Sequence, residues 1–180
     1  MNLLPVLIFL GIASTYAFQC PPYDAIRTPS VSTFDPYRYQ GLWYQVATNE
    51  PTMPSFCTCG TLNWTVTSPT TFSDGFSSKC GGLPLHLHLE GTLSSNASAP
   101  GFLHEGPSMS LLVPNMVFYV QDAYQFAAVY SCVYWGKFSL QLLSRTPNIS
   151  MDYVRGWVMN LTAQGIMDTS GMRYDNFAEC

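Results

Sequence analysis

Residues 61–67 read "TLNWTVT", and their alternation decides the fold class. Leu62, Trp64 and Val66 fall on one face, and Thr61, Asn63, Thr65 and Thr67 on the other. This is the period-two pattern of a strand with one buried side. Working outward, strand-like segments recur at 41–48, 72–80, 85–94, 109–113, 116–122, 126–134 and 137–145. Ser68-Pro69, Asp74-Gly75, Ala99-Pro100-Gly101 and Pro114-Asn115 supply turn signals among them. Eight strands on short links predict an all-β body, either a sandwich or an up-and-down barrel.

One helix follows. Ser150 is a suitable N-cap, and Val154, Trp157, Val158 and Leu161 form one apolar stripe at helical spacing. Gly165 stands where a C-terminal cap is expected, so the helix is predicted over 151–164. No repeat or low-complexity tract divides the chain, which reads as a single domain over 18–180.

The first residues, "MNLLPVLIFLGIASTYAFQC", have the character of a secretory signal over 1–17, with Ala17 at the cleavage point and no Lys or Arg in the n-region. The apolar run is shorter than the roughly 20 residues of a membrane span. A secreted, extracellular, soluble product with no integral membrane segment is expected. Net charge is −4 without a basic patch, which argues against nucleic acid as a partner. Only 10% of residues are charged, and sequons at Asn63, Asn96, Asn148 and Asn160 predict a glycoprotein whose glycans aid solubility. The six cysteines are Cys20, Cys57, Cys59, Cys80, Cys132 and Cys180. In an oxidising compartment they predict three disulfides, with fifteen pairings open. The alternative, a metal or redox site at Cys57-Thr58-Cys59, fits that compartment poorly.

Three motifs then occur in order. "YQGLWYQVA" (39–47) holds Gly41-Leu42-Trp43 and resembles the Gly-X-Trp signature of the first lipocalin strand. "QDAYQFAAVYSC" (121–132) resembles the second lipocalin motif, with Gln121 in place of Thr and Ala123 in the Tyr position. Arg145 in "LLSRTPN" (142–148) matches the third, an arginine closing the last strand before the helix. The resemblance spans the mature chain and is strongest to the apolipoprotein D-like branch. It implies an eight-stranded antiparallel up-and-down barrel, a calyx, with one helix packed outside. It implies disulfides Cys20–Cys132 and Cys59–Cys180, which leaves Cys57 and Cys80 to pair with each other. It also implies that Arg145 lies over Trp43 at the barrel floor, a structural contact rather than a catalytic one.

Strand parity extends these anchors. With Trp43 inward, Gln45 and Ala47 point into the lumen and Leu42, Tyr44 and Val46 point out. With Arg145 over Trp43, Leu143, Gln141 and Ser139 face in, and Phe138, Leu140 and Leu142 face out beneath the helix stripe. Leu62, Trp64 and Val66 face inward, as do Ala127 and Val129. Met116, Phe118 and Val120 are the apolar candidates on their strand, with Tyr119 opposite. In "LPLHLHLEGTL" (83–93), Leu87 and Leu89 form cavity wall, and His86, His88 and Glu90 turn outward to solvent. These histidines are read as surface residues rather than metal ligands, and His104 as a residue of a Gly/Pro-bounded loop. No metal and no cofactor are expected.

An eight-stranded barrel of this lining can enclose one small ligand. The expected function is a secreted carrier or scavenger of a small hydrophobic molecule: a lipid, retinoid, steroid, carotenoid or tetrapyrrole. The alternatives are an interaction protein engaging a cell-surface receptor or forming a homo-oligomer, and an isomerase of the same fold. Catalysis ranks last because no inward-facing acid/base pair is evident.

Overall fold

The computed structural model describes residues 22–121, 123–132, 138–163, 169 and 171–180. The expected signal over 1–17, the Cys20–Cys132 link and the Gly165 cap lie outside the described residues.

Eight antiparallel strands close into a barrel: β1 (Gly41–Thr48), β2 (Cys57–Ser68), β3 (Thr71–Cys80), β4 (Leu83–Thr92), β5 (Phe102–Gly106), β6 (Val113–Val120), β7 (Phe126–Cys132) and β8 (Phe138–Ser144). Each pairs with the next, and β1 pairs with both β8 and β2, so the sheet closes on itself. Closure leaves no long exposed edge among these strands. Two short helices, α1 (Tyr23–Ile26) and α2 (Pro36–Tyr39), precede the barrel, and α3 (Met151–Ala163) packs outside it. A two-residue strand, β9 (Arg173–Tyr174), adds to β1 at Ala47 and Thr48.

The strand expected at 109–113 is displaced. β5 runs over Phe102–Gly106, and residues 107–112 connect it to β6. Ala99-Pro100-Gly101 leads directly into β5. Pro114, read as a turn residue, sits inside β6 opposite His104. It lies before the described β6–β7 register, which begins at Asn115–Ser131, so its missing N–H breaks no ladder bond there. Asp74-Gly75 likewise falls mid-strand in β3.

Bulges change the parity at two places, since one extra residue turns every later side chain to the other face. In β1 the register with β8 shifts between Gln45 and Ala47. Ala47 therefore opposes Leu142 on the outer face, and Thr48 takes the inward position opposite Gln141. In β6 a shift between Val117 and Tyr119 turns Tyr119 outward, with its ring 4.4 Å from Trp157 of α3. The N-terminal segment crosses β6: the Thr28 amide donates to the Phe118 carbonyl, and the Tyr23 hydroxyl to that of Val117.

In α3, the Ser150 hydroxyl accepts from the Tyr153 amide at 3.5 Å, and Val154, Val158 and Leu161 are buried. Trp157 meets Phe126 as well as Tyr119. The helix rings thus lie on β6 and β7 instead of only on the first and last strands. The outer side of β1 is covered by the C-terminal tail, where Phe177 packs edge-on against Tyr44. Two disulfides hold this end. Cys57–Cys80 joins paired positions of β2 and β3, and Cys59–Cys180 ties the tail to β2. The Asp175 carboxylate accepts from the Gly60 amide, and its own amide donates to Val46, so the tail bridges β1 and β2 where their pairing ends.

Candidate ligand-binding cavity

The closed end is built from aromatics and one cation. Asp35 caps α2 through the Tyr37 amide. That short helix aims its terminal carbonyls at Arg145, which donates to the carbonyls of Arg38, Tyr39, Gln40, Leu42 and Tyr124. Its guanidinium carbon lies 3.8 Å from the centre of the Trp43 ring, a cation–π contact, and the Trp43 indole N–H donates to Tyr39. Tyr39 leans on both Trp43 and Trp64, and Trp64 stacks on Phe72 at 4.3 Å. These rings pack together at the floor of the lumen.

Above them the lumen opens into two chambers. A small deep one, about 20 Å³, is bounded by Tyr39, Leu62, Trp64, Leu103, Val117, Val129 and Leu143, with Asp74 among them. The upper one, about 210 Å³, opens to solvent between Gln45, Met53, Phe76, Leu87, Leu89, Val113 and Ser131. Glu105, Asn115 and Gln141 border both. Room of about 20 Å³ suits one water molecule, whereas the upper chamber admits a small organic molecule.

The structure places the sequence-derived lining residues as follows. Gln45, Leu87, Leu89 and Gln141 line the upper chamber, and Leu62, Trp64, Val129, Leu143 and again Gln141 line the lower. Val66 packs below, against the core. Ala127, Val120, Phe118 and Ser139 are buried but border neither chamber. Met116 is a correction: it faces outward, opposite Tyr130, into a groove with Tyr23 and Phe102. Val113, Asn115 and Val117 hold the inner positions of β6 instead. Ala47 is the second correction, turned out by the β1 bulge.

The largest departure is charge. No inward-facing acid/base pair is evident in the sequence, yet two carboxyls, Asp74 and Glu105, face the lumen. Asp74 is fully buried, and neither of its oxygens completes a well-formed hydrogen bond; Glu105 Oε1 is likewise shut from solvent without a partner. The second Glu105 oxygen accepts from Asn115 Nδ2, and Asn115 Oδ1 accepts from the Ser131 hydroxyl. The two carboxyls lie close enough to share a proton. Burial pushes Asp74 up to about 7, and burial together with the Asp74 charge holds Glu105 well above the usual carboxylate range. Burial and then the same two carboxyls hold the Tyr39 hydroxyl neutral.

One sequence signal could have found half of this pair. "FSDGF" (72–76) alternates as Phe-Ser-Asp-Gly-Phe, which puts Asp74 on the same face as two phenylalanines. Glu105 became legible only once β5 was placed at 102–106. Gly91 of β4 lies between them, opposite Phe72 on one side and Glu105 on the other. A methyl group there would stand 2.1 Å from the Phe72 ring, so only glycine lets that ring cross the barrel.

The histidines lie outside this site. His86 and Ser77 hydrogen-bond across β4 and β3 on the solvent side, and His88 is exposed. His104 belongs to β5, edge-on to Phe102, and not to a loop. Among the described residues no three His, Cys, Asp or Glu side chains gather to hold a metal. All four sequon asparagines are exposed. No described helix is long and apolar enough to cross a membrane.

Barrel, floor and outer helix together define the lipocalin fold. Solved structures resemble it over most of the chain. Insecticyanin from the tobacco hornworm is 19% identical, with a TM-score of 0.62, covering 89% of this chain and 87% of that one. Lobster apocrustacyanin A1 is 19% identical at a TM-score of 0.60, covering 77% of each chain. The siderocalin Ex-FABP, described as functioning through dual ligand specificities, is 11% identical at 0.58, over 77% of this chain and 93% of its own. No family model matches the sequence, and neither does any curated protein.

Proposed function

We propose that the protein is a secreted carrier or scavenger that sequesters a small hydrophobic molecule in the barrel without covalent chemistry. The observation that carries this reading is the upper chamber of about 210 Å³, open to solvent and walled mainly by Met53, Phe76, Leu87, Leu89 and Val113. Apolar surface transferred from water to such a wall favours binding by roughly 25 cal/mol per Å². Gln45 and Gln141 add orienting hydrogen bonds. The fold shared with the siderocalin, a protein of dual ligand specificities, supports the reading, and the disulfides suit secretion. The chamber is below the roughly 300–1,000 Å³ of common ligand pockets. It therefore favours the smaller members of the expected ligand range over a carotenoid or tetrapyrrole. Signal cleavage after residue 17, glycans at the four sequons, and membership of the apolipoprotein D-like branch belong to this reading.

Native mass spectrometry of protein purified from its source, followed by organic extraction, tests it. A reproducible bound small molecule is expected; a chain that is empty from every preparation and takes up no neutral aromatic probe contradicts it.

A second reading, an interaction protein, draws on the apolar rim of the mouth, where Phe56, Leu83, Leu87, Met109 and Leu111 are exposed. Under that reading a receptor or a second copy of the chain docks there, and deglycosylated protein would sediment as more than a monomer or co-purify with a receptor.

A further inference from the structure

The carboxyls of Asp74 and Glu105 are costly where they stand. A buried polar oxygen without a partner costs about 1–3 kcal/mol, more when charged. Neither carboxyl serves the floor, whose carbonyls Arg145 already satisfies. Among the described residues bordering either chamber there is no Lys, Arg or His. The lumen thus presents acceptors and negative charge with no internal cation to meet them.

We propose that the ligand of this barrel is a small apolar molecule bearing a protonated amine, with its ammonium seated at the junction of the two chambers against Glu105 and, directly or through one water, Asp74. This deepens the carrier reading and rests on it. An ammonium group has three N–H donors. Three carboxyl oxygens, Asp74 Oδ1, Asp74 Oδ2 and Glu105 Oε1, are buried with no well-formed hydrogen bond apart from the proton the two carboxyls share. The deep chamber has room for the one water that would relay a donor to Asp74. The apolar body of the ligand then fills the upper chamber against Phe76, Leu87 and Leu89. The same charge repels a fatty-acid carboxylate.

Around the pair, β2 contributes Trp64, β4 contributes Leu89 and Gly91, β6 contributes Asn115 and β8 contributes Gln141, none of them titratable. From α2, Tyr39 stays neutral. Glu50, at the wall of the upper chamber, accepts from the Thr52 amide and hydroxyl, so Glu105 and Asp74 are the carboxyls left to meet the ammonium. In the empty barrel they share a proton, and the ammonium displaces it. Amine affinity therefore rises as pH increases from 5 to 8.

Isothermal titration at pH 7.5 with 2-phenylethylamine, 2-phenylethanol and 3-phenylpropionate tests this. The amine is expected to bind at least tenfold more tightly than the alcohol, and the acid most weakly. Glu105→Gln, whose amide keeps the Asn115 contact, is expected to bring the amine-to-alcohol ratio near unity, and Asp74→Asn to lower it in the same direction. Equal affinity of wild-type protein for amine and alcohol overturns the amine assignment and leaves the carrier reading standing. An amine preference that survives both substitutions also overturns it. Failure of wild-type protein to bind any of the three overturns both.

Discussion

The barrel holds charge at two depths, on opposite terms. At the floor, Arg145 donates to five backbone carbonyls and covers an indole. Within the lumen, Asp74 and Glu105 face each other with three oxygens that no other group hydrogen-bonds well. A buried charge that is fully hydrogen-bonded is a fastener, because its removal orphans the groups it satisfied. A buried charge that is not satisfied lowers stability, and its removal relieves the chain. The first kind explains how the fold closes. The second kind is where a ligand has something to contribute.

Replacing Arg145 by Met should have the largest effect. The carbonyls of α2 and of Leu42 lose their donor, and urea denaturation should show a loss of about 3 kcal/mol. Gly91→Ala comes next, since its methyl would meet the Phe72 ring and the His104 carbonyl at 2.5 Å. Overpacking of this kind should cost about 2 kcal/mol in the same assay. Glu105→Gln should change sign, raising stability at neutral pH by about 1 kcal/mol, because the amide can donate to Asp74. A loss from Glu105→Gln as large as that from Arg145→Met would erase the distinction between fastener and acceptor.

The pH dependence follows from the same carboxyls. Their folded pKa values lie above the unfolded values near 4, so the folded chain retains protons that the unfolded chain has released. Their contribution to stability is greatest in acid and is lost as pH rises from about 4 towards the folded Asp74 value of about 7. Melting temperatures of wild-type protein should show this fall, and a doubly substituted Asp74→Asn, Glu105→Gln chain should show less of it. The smallest effect belongs to His86→Ala, which should alter stability by no more than about 0.5 kcal/mol and leave ligand titrations unchanged, since the ring faces solvent.

Much of the barrel was legible in the sequence because alternation is a local property. Leu62, Trp64, Leu87 and Leu89 were placed by parity alone, and they line the chambers. Parity failed where an extra residue entered a strand. The bulge near Val46 turned Ala47 outward, the bulge near Phe118 set Met116 on the face opposite to Val120, and no local pattern announces either. Pro114 misled for a different reason. It reads as a turn, yet near the start of β6 it pairs with His104 and precedes the β6–β7 register, so its missing N–H breaks no bond on the β7 side. That misplacement moved β5 by several residues and hid Glu105, while the Asp74-Gly75 pair concealed an inward carboxyl in the middle of a strand. The lumen charge was thus the part least accessible to sequence, because it depends on two residues more than thirty positions apart meeting across β4.

Ligand enclosure by the upper chamber is tested most directly by calorimetric titration of 2-phenylethanol into wild-type protein and into Leu89→Trp, whose larger side chain fills that chamber. Saturable, one-to-one binding to the wild type is expected, with at least a tenfold loss in the variant and the barrel still folded by circular dichroism. Equal binding to both would place the ligand elsewhere and contradict that enclosure.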